Sequence, residues 1–289
     1  MFMQNTSAAI LLIHCDDQPG LVAAVTQFIR LHTGNILDLD QHTDTEHRQF
    51  FMRVTWDLEK FDIARDDIET RFAQEVGYPF NMRWELSFSG DRPRMAIFVS
   101  RMFHCLYDIL SRYKAGEWFV EIPLIISNHA DVEPIAKQFD IDCYVLPVTK
   151  ENKAEQEARE LQLLEQHKTD FIVLARYMQI LSKGFVERFP YKIINIHHSF
   201  LPAFPGARPY HSAYQRGVKV IGATSHYVTA ELDSGPIIEQ DVVHVSHRDT
   251  VPELERKGRD LEKLVLARAI WHHLQREVLV FENRTVVFS

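Results

Sequence analysis

Asn195, His197 and Asp233 are the residues of this chain whose types and spacing suit chemistry. Asn195 and His197 stand two apart at the end of an apolar run. On a strand, residues two apart share a face, so an amide and an imidazole point together at the strand's end. Asp233 follows in Glu231-Leu232-Asp233-Ser234-Gly235-Pro236, where a short acid before Ser-Gly-Pro reads as a turn. Amide, imidazole and carboxylate together suit acyl transfer. Attack on a carbonyl carbon builds negative charge on its oxygen, and each fixed donor aimed there is worth a factor of about 100–1000. A carboxylate–imidazole pair places a nucleophile and moves protons, for roughly another 100–10,000-fold. No GxSxG elbow is present, so a covalent acyl-enzyme is not implied. Fifteen histidines raise the question of a metal. The pairs His197/His198 and His272/His273 are adjacent, not at the i, i+4 spacing of HExxH, and no Cys-rich or acid-rich set accompanies them. Neither a metal nor a prosthetic cofactor is expected.

The elements that must position these groups fall into two series. In the first 88 residues, Ala9–His14 reads as a strand and Asp17-Gln18-Pro19-Gly20 as a turn. Leu21 to Leu31 carries helical apolar spacing (Leu21, Val25, Phe28, Ile29), with Gly34-Asn35 as its C-cap. Ile36–His42 and Gln49–Asp57 read as a hairpin, residues 61–76 as a second helix and Met82–Phe88 as a last strand. The order β-α-β-β-α-β predicts a ferredoxin-like α+β unit. Residues 89–93, Ser-Gly-Asp-Arg-Pro, read as a linker. From 94 to 289 the rhythm becomes strand, helix, strand. The predicted strands are Met95–Val99, Val120–Ile126, Asp142–Leu146, Phe171–Ala175, Ile193–Ile196 and Val220–Val228. Alternation of this kind predicts an α/β, Rossmann-like, mostly parallel sheet with helices on both faces, and ligands bind outside the carboxyl ends of such strands. The helical stretch Glu151–His167 is charged on most sides and reads as a solvated face. Ser199–Gly206 is a loop punctuated by Pro and Gly.

Bulk properties narrow the function classes. The 289 residues suffice for about two domains at roughly 100–200 residues each. Forty acidic residues against 32 basic give a formal charge of −8, which argues against nucleic acid as the partner. The three cysteines form no CxxC pair and fit a reducing cytoplasm. No stretch approaches the roughly 20 apolar residues of a membrane span, so no membrane partner is expected.

Asn-x-His-x-Ser-x-Leu-Pro at 195–202 and Leu-Asp-x-Gly-Pro at 232–236 make the region from about 94 to 289 similar to the folate-dependent formyltransferase family. The resemblance implies Asn195 and His197 as oxyanion and proton-transfer residues and Asp233 as the carboxylate that organises them. Ala175-Arg176-Tyr177-Met178-Gln179-Ile180-Leu181 resembles the family's Ala-x-x-Met-x-Ile-Leu stretch, which lines a folate pocket and binds the pterin largely through backbone groups. Arg176, Tyr177, Met178, Gln179, Ile180, Leu181, His198 and Thr229 are thereby implied as substrate-binding.

Two departures from the ribonucleotide transformylases of that family bear on the acceptor. Where those carry a Gly-rich phosphate loop, this chain reads Ser100-Arg101-Met102-Phe103-His104-Cys105-Leu106, and backbone nests depend on glycine. Position 198 is His rather than the usual Pro. His-His-Ser-Phe-Leu-Pro at 197–202, with Leu106-Tyr107-Asp108 and Ile126-Ser127-Asn128-His129, resembles the family's 10-formyltetrahydrofolate deformylases. The turn Asp17-Gln18-Pro19-Gly20-Leu21 is similar to the ACT-domain signature. The implied reaction is hydrolysis of 10-formyltetrahydrofolate to formate and tetrahydrofolate. Asp233 and His197 would hold and activate water, and His198 would help bind it. The implied partners are a folate substrate, an amino-acid effector such as glycine or methionine near Asp17, Pro19, Gly20 and Leu21, and further copies of the chain. Two rivals stand beside this: transfer of the formyl group to an amine, and a ligand-sensing protein with an inactive second half.

Overall fold

The computed structural model describes residues 7–203 and 209–289. Residues 204–206 of the Pro/Gly loop fall outside them. Two compact units emerge. One comprises the described residues up to Arg92 with Arg276–Leu279 and Val286–Ser289; the other is Pro93–Gln275 with Val280–Thr285.

The first unit is built from β1 (Ala8–Asp16), α1 (Leu21–Leu31), β2 (Asn35–Asp44), β3 (Gln49–Asp57), α2 (Ile68–Phe72) and β4 (Arg83–Phe88). The strands form an antiparallel sheet in the order β2-β3-β1-β4. Alternate residues of β1 (Ala9, Leu11, Ile13, Cys15) join Val25, Phe28 and Ile29 of α1 and Phe72 of α2 in one core. This is the ferredoxin-like order. The second helix is shorter than its apolar spacing predicts. Residues up to Ala64 are not helical, and a 3-10 turn at Arg65–Asp67 precedes α2. The helix then widens into a π-turn at Ala73–Gly77, over which the Trp84 ring lies so closely that a Cβ on Gly77 would meet it at 2.5 Å. At the end of α1 the left-handed residue is Thr33 (φ 59), not Gly34. Gly34 serves space instead, since a Cβ there would meet Ile29 Cγ2 at 2.6 Å. The chain's last residues belong to this unit: Arg53 Nε donates to the Arg276 carbonyl (3.1 Å), and Leu279 and Phe288 are buried.

The second unit opens with β5 (Arg94–Val99), α3 (His104–Lys114), β6 (Glu121–Ser127), α4 (Glu133–Gln138), β7 (Asp142–Val145), α5 (Lys153–Gln166), β8 (Phe171–Leu174), α6 (Lys183–Val186) and β9 (Ile193–His197). It continues with α7 (Pro209–Arg216), β10 (Val220–Tyr227), β11 (Ile237–His244) and α8 (Val251–Leu274); a hairpin of β12 (Val278–Phe281) and β13 (Arg284–Val287) ends the chain. The seven-stranded sheet runs β11-β10-β9-β8-β5-β6-β7; β7 to β9 are parallel through β5, and β10 and β11 are antiparallel. Strands β5, β6 and β8 are apolar on both sides, as strands covered by helices on two faces must be. One face packs Phe98, Leu124 and Leu174 on Leu163 and Leu164 of α5; α8 lies against β9, β10 and β11. β5 to β7 grow outward one way and β8 and β9 the other. The order therefore reverses beside β5, where a crevice forms at the strands' carboxyl ends.

Candidate active site

Asn195 and His197 occupy the last turn of the pleat in β9, and β10 supports them from one side, pairing Thr224 with His197 and His226 with Asn195. Asp233 reaches them from the turn after β10, in a left-handed conformation (φ 53) that Asp tolerates better than most residues. Its Oδ1 lies 3.3 Å from His197 Nδ1. The hydrogen bond with His197 outweighs burial and holds the Asp233 carboxyl below its ordinary value, with His226 and His198 nearby assisting. An ionised carboxylate can only accept, so Nδ1 of His197 carries the proton and Nε2 keeps its lone pair. That Nε2 is buried and has no hydrogen-bond partner among the described residues.

His226 was not legible as a site residue, yet it orients the amide. Its Nδ1 lies 2.9 Å from the Tyr227 carbonyl, which can only accept, so Nε2 is the unprotonated nitrogen. Nε2 then accepts from Asn195 Nδ2 at 3.2 Å. Burial, 2% exposed, pushes the His226 ring below its usual value and keeps it neutral, as this arrangement needs. The Asn195 amide is thereby fixed with its NH2 end known, and its second N–H remains for a ligand. The loop after β9 is tied to the same strand: Thr224 Oγ1 donates to the Ser199 carbonyl (2.8 Å) and accepts from Leu201 N (3.0 Å), and Gln240 Nε2 donates to Thr224 Oγ1 (2.9 Å).

These groups open onto a cleft of about 350 Å³, within the usual range for small-molecule sites. Arg176, Tyr177, Met178, Gln179, Ile180, Leu181, His198 and Thr229 all line it together with Asn195, His197, Asp233 and His226. Met178 and Ile180 are 57% and 61% exposed, which is costly for apolar side chains unless something covers them. Arg176 begins this wall with φ 64, and Met178 N donates to Ser100 Oγ (2.9 Å), whose hydroxyl donates to Asn128 Oδ1 (2.7 Å).

Two acids are buried, one of them, Glu160, in the stretch that reads as a solvated face. Glu262 of α8 is 1% exposed and accepts from Tyr210 hydroxyl and His104 Nε2, both at 2.8 Å. Glu160 of α5 is also 1% exposed and accepts from Tyr177 hydroxyl at 2.7 Å, so α5 is not the wholly solvated helix its charges suggest. Burial pushes the Glu160 carboxyl up to about 7. Folded Glu160 therefore keeps a proton that the unfolded chain has lost, a contribution present below 4.5 and lost as pH rises through about 7. Glu160→Gln, neutral throughout, is expected to raise stability at pH 8 by ~1–3 kcal/mol and to change it little at pH 4. Urea denaturation at the two pH values measures this, and equal effects at both would refute it.

His104, Cys105 and Glu262 bring three metal-ligand types within 4.8 Å. The Glu262 carboxylate is already engaged by two donors and faces Arg176 Nε at 3.5 Å. Burial raises the Cys105 thiol well above its usual value, which keeps it protonated. A cation there would meet a guanidinium and a thiol, so the cluster reads as a hydrogen-bonded core. In the first unit, Asp17, Pro19 and Gly20 are exposed at the turn before α1, with Gly20 at φ 95. Leu21 is 2% exposed, so its side chain belongs to the core. No helix among the described residues is long and apolar enough to cross a membrane.

Comparison with known proteins identifies both halves of the chain. The family model described as Formyl transferase matches residues 93–270, and the ACT domain matches residues 9–75. Formyltetrahydrofolate deformylase of Synechocystis is 57% identical over 99% of this chain and all of its own. The crystal structure of a formyltetrahydrofolate deformylase from Pseudomonas syringae superposes with TM-score 0.96 at 43% identity, covering 100% of this chain and 96% of that one. Glycinamide ribonucleotide transformylase 1 from Symbiobacterium toebii matches at TM-score 0.66 and 31% identity, over 71% of this chain and 98% of its own. An ACT domain followed by a formyltransferase domain, matched from end to end by relatives of one name, places the chain in the formyltetrahydrofolate deformylase family.

Proposed function

We propose that the chain hydrolyses 10-formyltetrahydrofolate to formate and tetrahydrofolate, with Asn195, His197 and Asp233 at the reacting centre. The observation that carries the reading is the His197 ring: one nitrogen faces an ionised carboxylate, and the other is buried, unpartnered and in the cleft. The folate enters along residues 176–181, whose exposed Met178 and Ile180 its rings would cover. A water beside His197 Nε2 gives that nitrogen a proton as its oxygen attacks the formyl carbon. The second N–H of Asn195 donates to the oxyanion. Asp233 offsets the charge on the imidazolium, which then passes its proton to N10 as the C–N10 bond breaks. The remaining proton leaves with formic acid, which ionises to formate. Oriented donors and proton transfer supply the rate enhancement, with no covalent enzyme intermediate.

The ACT unit is proposed to bind an amino acid, glycine or methionine, at the exposed turn around Gly20 and to pair with a second copy. The boundaries proposed for regulation and catalysis are residues 1–88 and 94–289, joined by 89–93. Three free thiols among the described residues suit a cytoplasmic protein.

Formate release from 10-formyltetrahydrofolate, measured with no amine present and then with glycine or methionine added, tests these readings. Turnover is expected without an acceptor. Turnover only after an amine is supplied would make the chain a transferase, and a rate indifferent to both amino acids would remove them as effectors.

A further inference from the structure

We infer that Glu262 is a positioning residue for the hydrolytic water: it ties Arg176, His104 and Tyr210 into one cluster that fixes His198 beside His197, where a His198 ring nitrogen accepts a hydrogen bond from the attacking water. This rests on the water-attack reading given above and adds to it the group that seats the water.

The cluster is assembled from four separate segments. Glu262 comes from α8, His104 from the start of α3, Tyr210 from α7 and Arg176 from the wall after β8. Oε1 of Glu262 accepts from Tyr210 hydroxyl, and Oε2 accepts from His104 Nε2, both at 2.8 Å, with Arg176 Nε at 3.5 Å from Oε2. The carboxylate stays ionised: burial works against the charge, but His104, Arg176 and Tyr210 together hold it below its ordinary value. Arg176 is further fixed by Nη2 donating to Met102 Sδ (3.3 Å). Replacing a buried charged cluster by packed apolar side chains of similar volume is often neutral or stabilising, so stability alone does not account for it.

His198 is what the cluster borders. Its ring centroid is 5.0 Å from that of His197 and 6.1 Å from that of Tyr210. Arg176, His198 and His197 share the cleft wall. The ring is held to about 4, first by burial, then by the positive charge of Arg176 and by His197, while Glu262 and Asp233 pull the other way. At neutral pH it is therefore an uncharged ring whose acceptor nitrogen has no hydrogen-bond partner among the described residues. The attacking water has two protons to place, and His197 Nε2 takes one. A neutral His198 receives the other as a hydrogen bond, and no group changes charge on that side. Gly258, one turn before Glu262, shows how closely the cluster is built. A Cβ there would meet Tyr210 Oη at 2.0 Å, so a side chain at 258 would push the phenol off the carboxylate.

The test uses full-length protein with ¹⁵N-labelled histidine. E262Q and G258A are expected to lower kcat about 10–100-fold with KM for the folate within threefold of wild type. Both should also move the His198 ring-nitrogen signals, assigned by their loss in H198L, which itself should lose at least 100-fold in kcat. A variant that does not fold is replaced by Y210F, which removes only the hydroxyl. Full turnover in H198L or in either cluster variant, or a fall in kcat with unmoved His198 signals, overturns the inference. H197N and D233N are run in the same assay. Activity in those two would displace the centre itself, whereas their inactivity beside an active H198L would reject only the part assigned to Glu262.

Discussion

Asp233→Asn lowers kcat for formate release by about 100–10,000-fold, the range spanned by loss of a proton-transfer pair, and leaves the protein folded. The substitution keeps the size and turn of the side chain. It removes the charge that sits 3.3 Å from His197 Nδ1. An amide offers that nitrogen either a carbonyl or an NH2 group, so the imidazole is no longer committed to carrying its proton on Nδ1. Nε2 then loses its standing as a base, and an imidazolium formed during attack has no counter-charge. The pH profile carries the same signature. The Asp233 carboxyl is held below its ordinary value by His197, so protonation of Asp233 itself should not limit activity anywhere near neutral pH. Steady-state formate release from pH 3.5 to 9, with a thermal melt of each variant, checks both points. Turnover by the Asn variant within a few-fold of wild type would move the chemistry away from this carboxylate.

Gly235→Ala is expected to abolish most activity at a position that touches no substrate. A Cβ on Gly235 would meet the Tyr227 carbonyl oxygen at 1.8 Å, and that oxygen is the acceptor that fixes the His226 ring. The same stretch is locked from the other side by Tyr227 N donating to the Pro236 carbonyl (2.9 Å). The backbones must separate, which costs about 1–3 kcal/mol for overpacking of this kind. As the carbonyl moves, His226 loses its tautomer, and the Asn195 amide is free to rotate. Loss of one oriented donor to the oxyanion then lowers kcat about 100–1000-fold. Gly184→Ala is the control, because nothing lies within 4 Å of a Cβ there. Equal kcat in the two variants would show that the Asn195 amide does not depend on this chain of contacts.

The elements that were readable are those whose periodicity answers to a single buried face. Leu21–Leu31 and Gln49–Asp57 have the predicted bounds because Leu21, Val25, Phe28 and Ile29 fall on one helical stripe and Phe50, Met52, Val54 and Trp56 alternate into the core. β11 and α8 were not read. Ile237–His244 is an edge strand with little burial beyond Ile238, and α8 distributes charge along 24 residues while burying Leu254, Leu261 and Val265. The site divides in the same way. Asn195 and His197 are legible because a strand's alternation is local. His226 and Glu262 are not, because their meaning depends on partners 31 and 158 positions away. A buried Glu in Arg-Asp-Leu-Glu-Lys looks in sequence like a solvated one; only the fold reveals that Tyr210 and His104 receive it.

The return of Arg276–Leu279 and Val286–Ser289 to the first unit sets an order of events during synthesis. The amino-terminal sheet emerges from the ribosome early, but the segments Arg276–Leu279 and Val286–Ser289 of its compact unit are translated much later. About 180 residues separate Arg92 from Arg276, and at roughly 5–20 residues per second the unit waits on the order of 10–40 s for them. Until then Arg53 lacks the carbonyl of Arg276. A nascent chain stalled before Arg276 would carry an unfinished front half, and deleting Val286–Ser289 should injure the part of the protein made first.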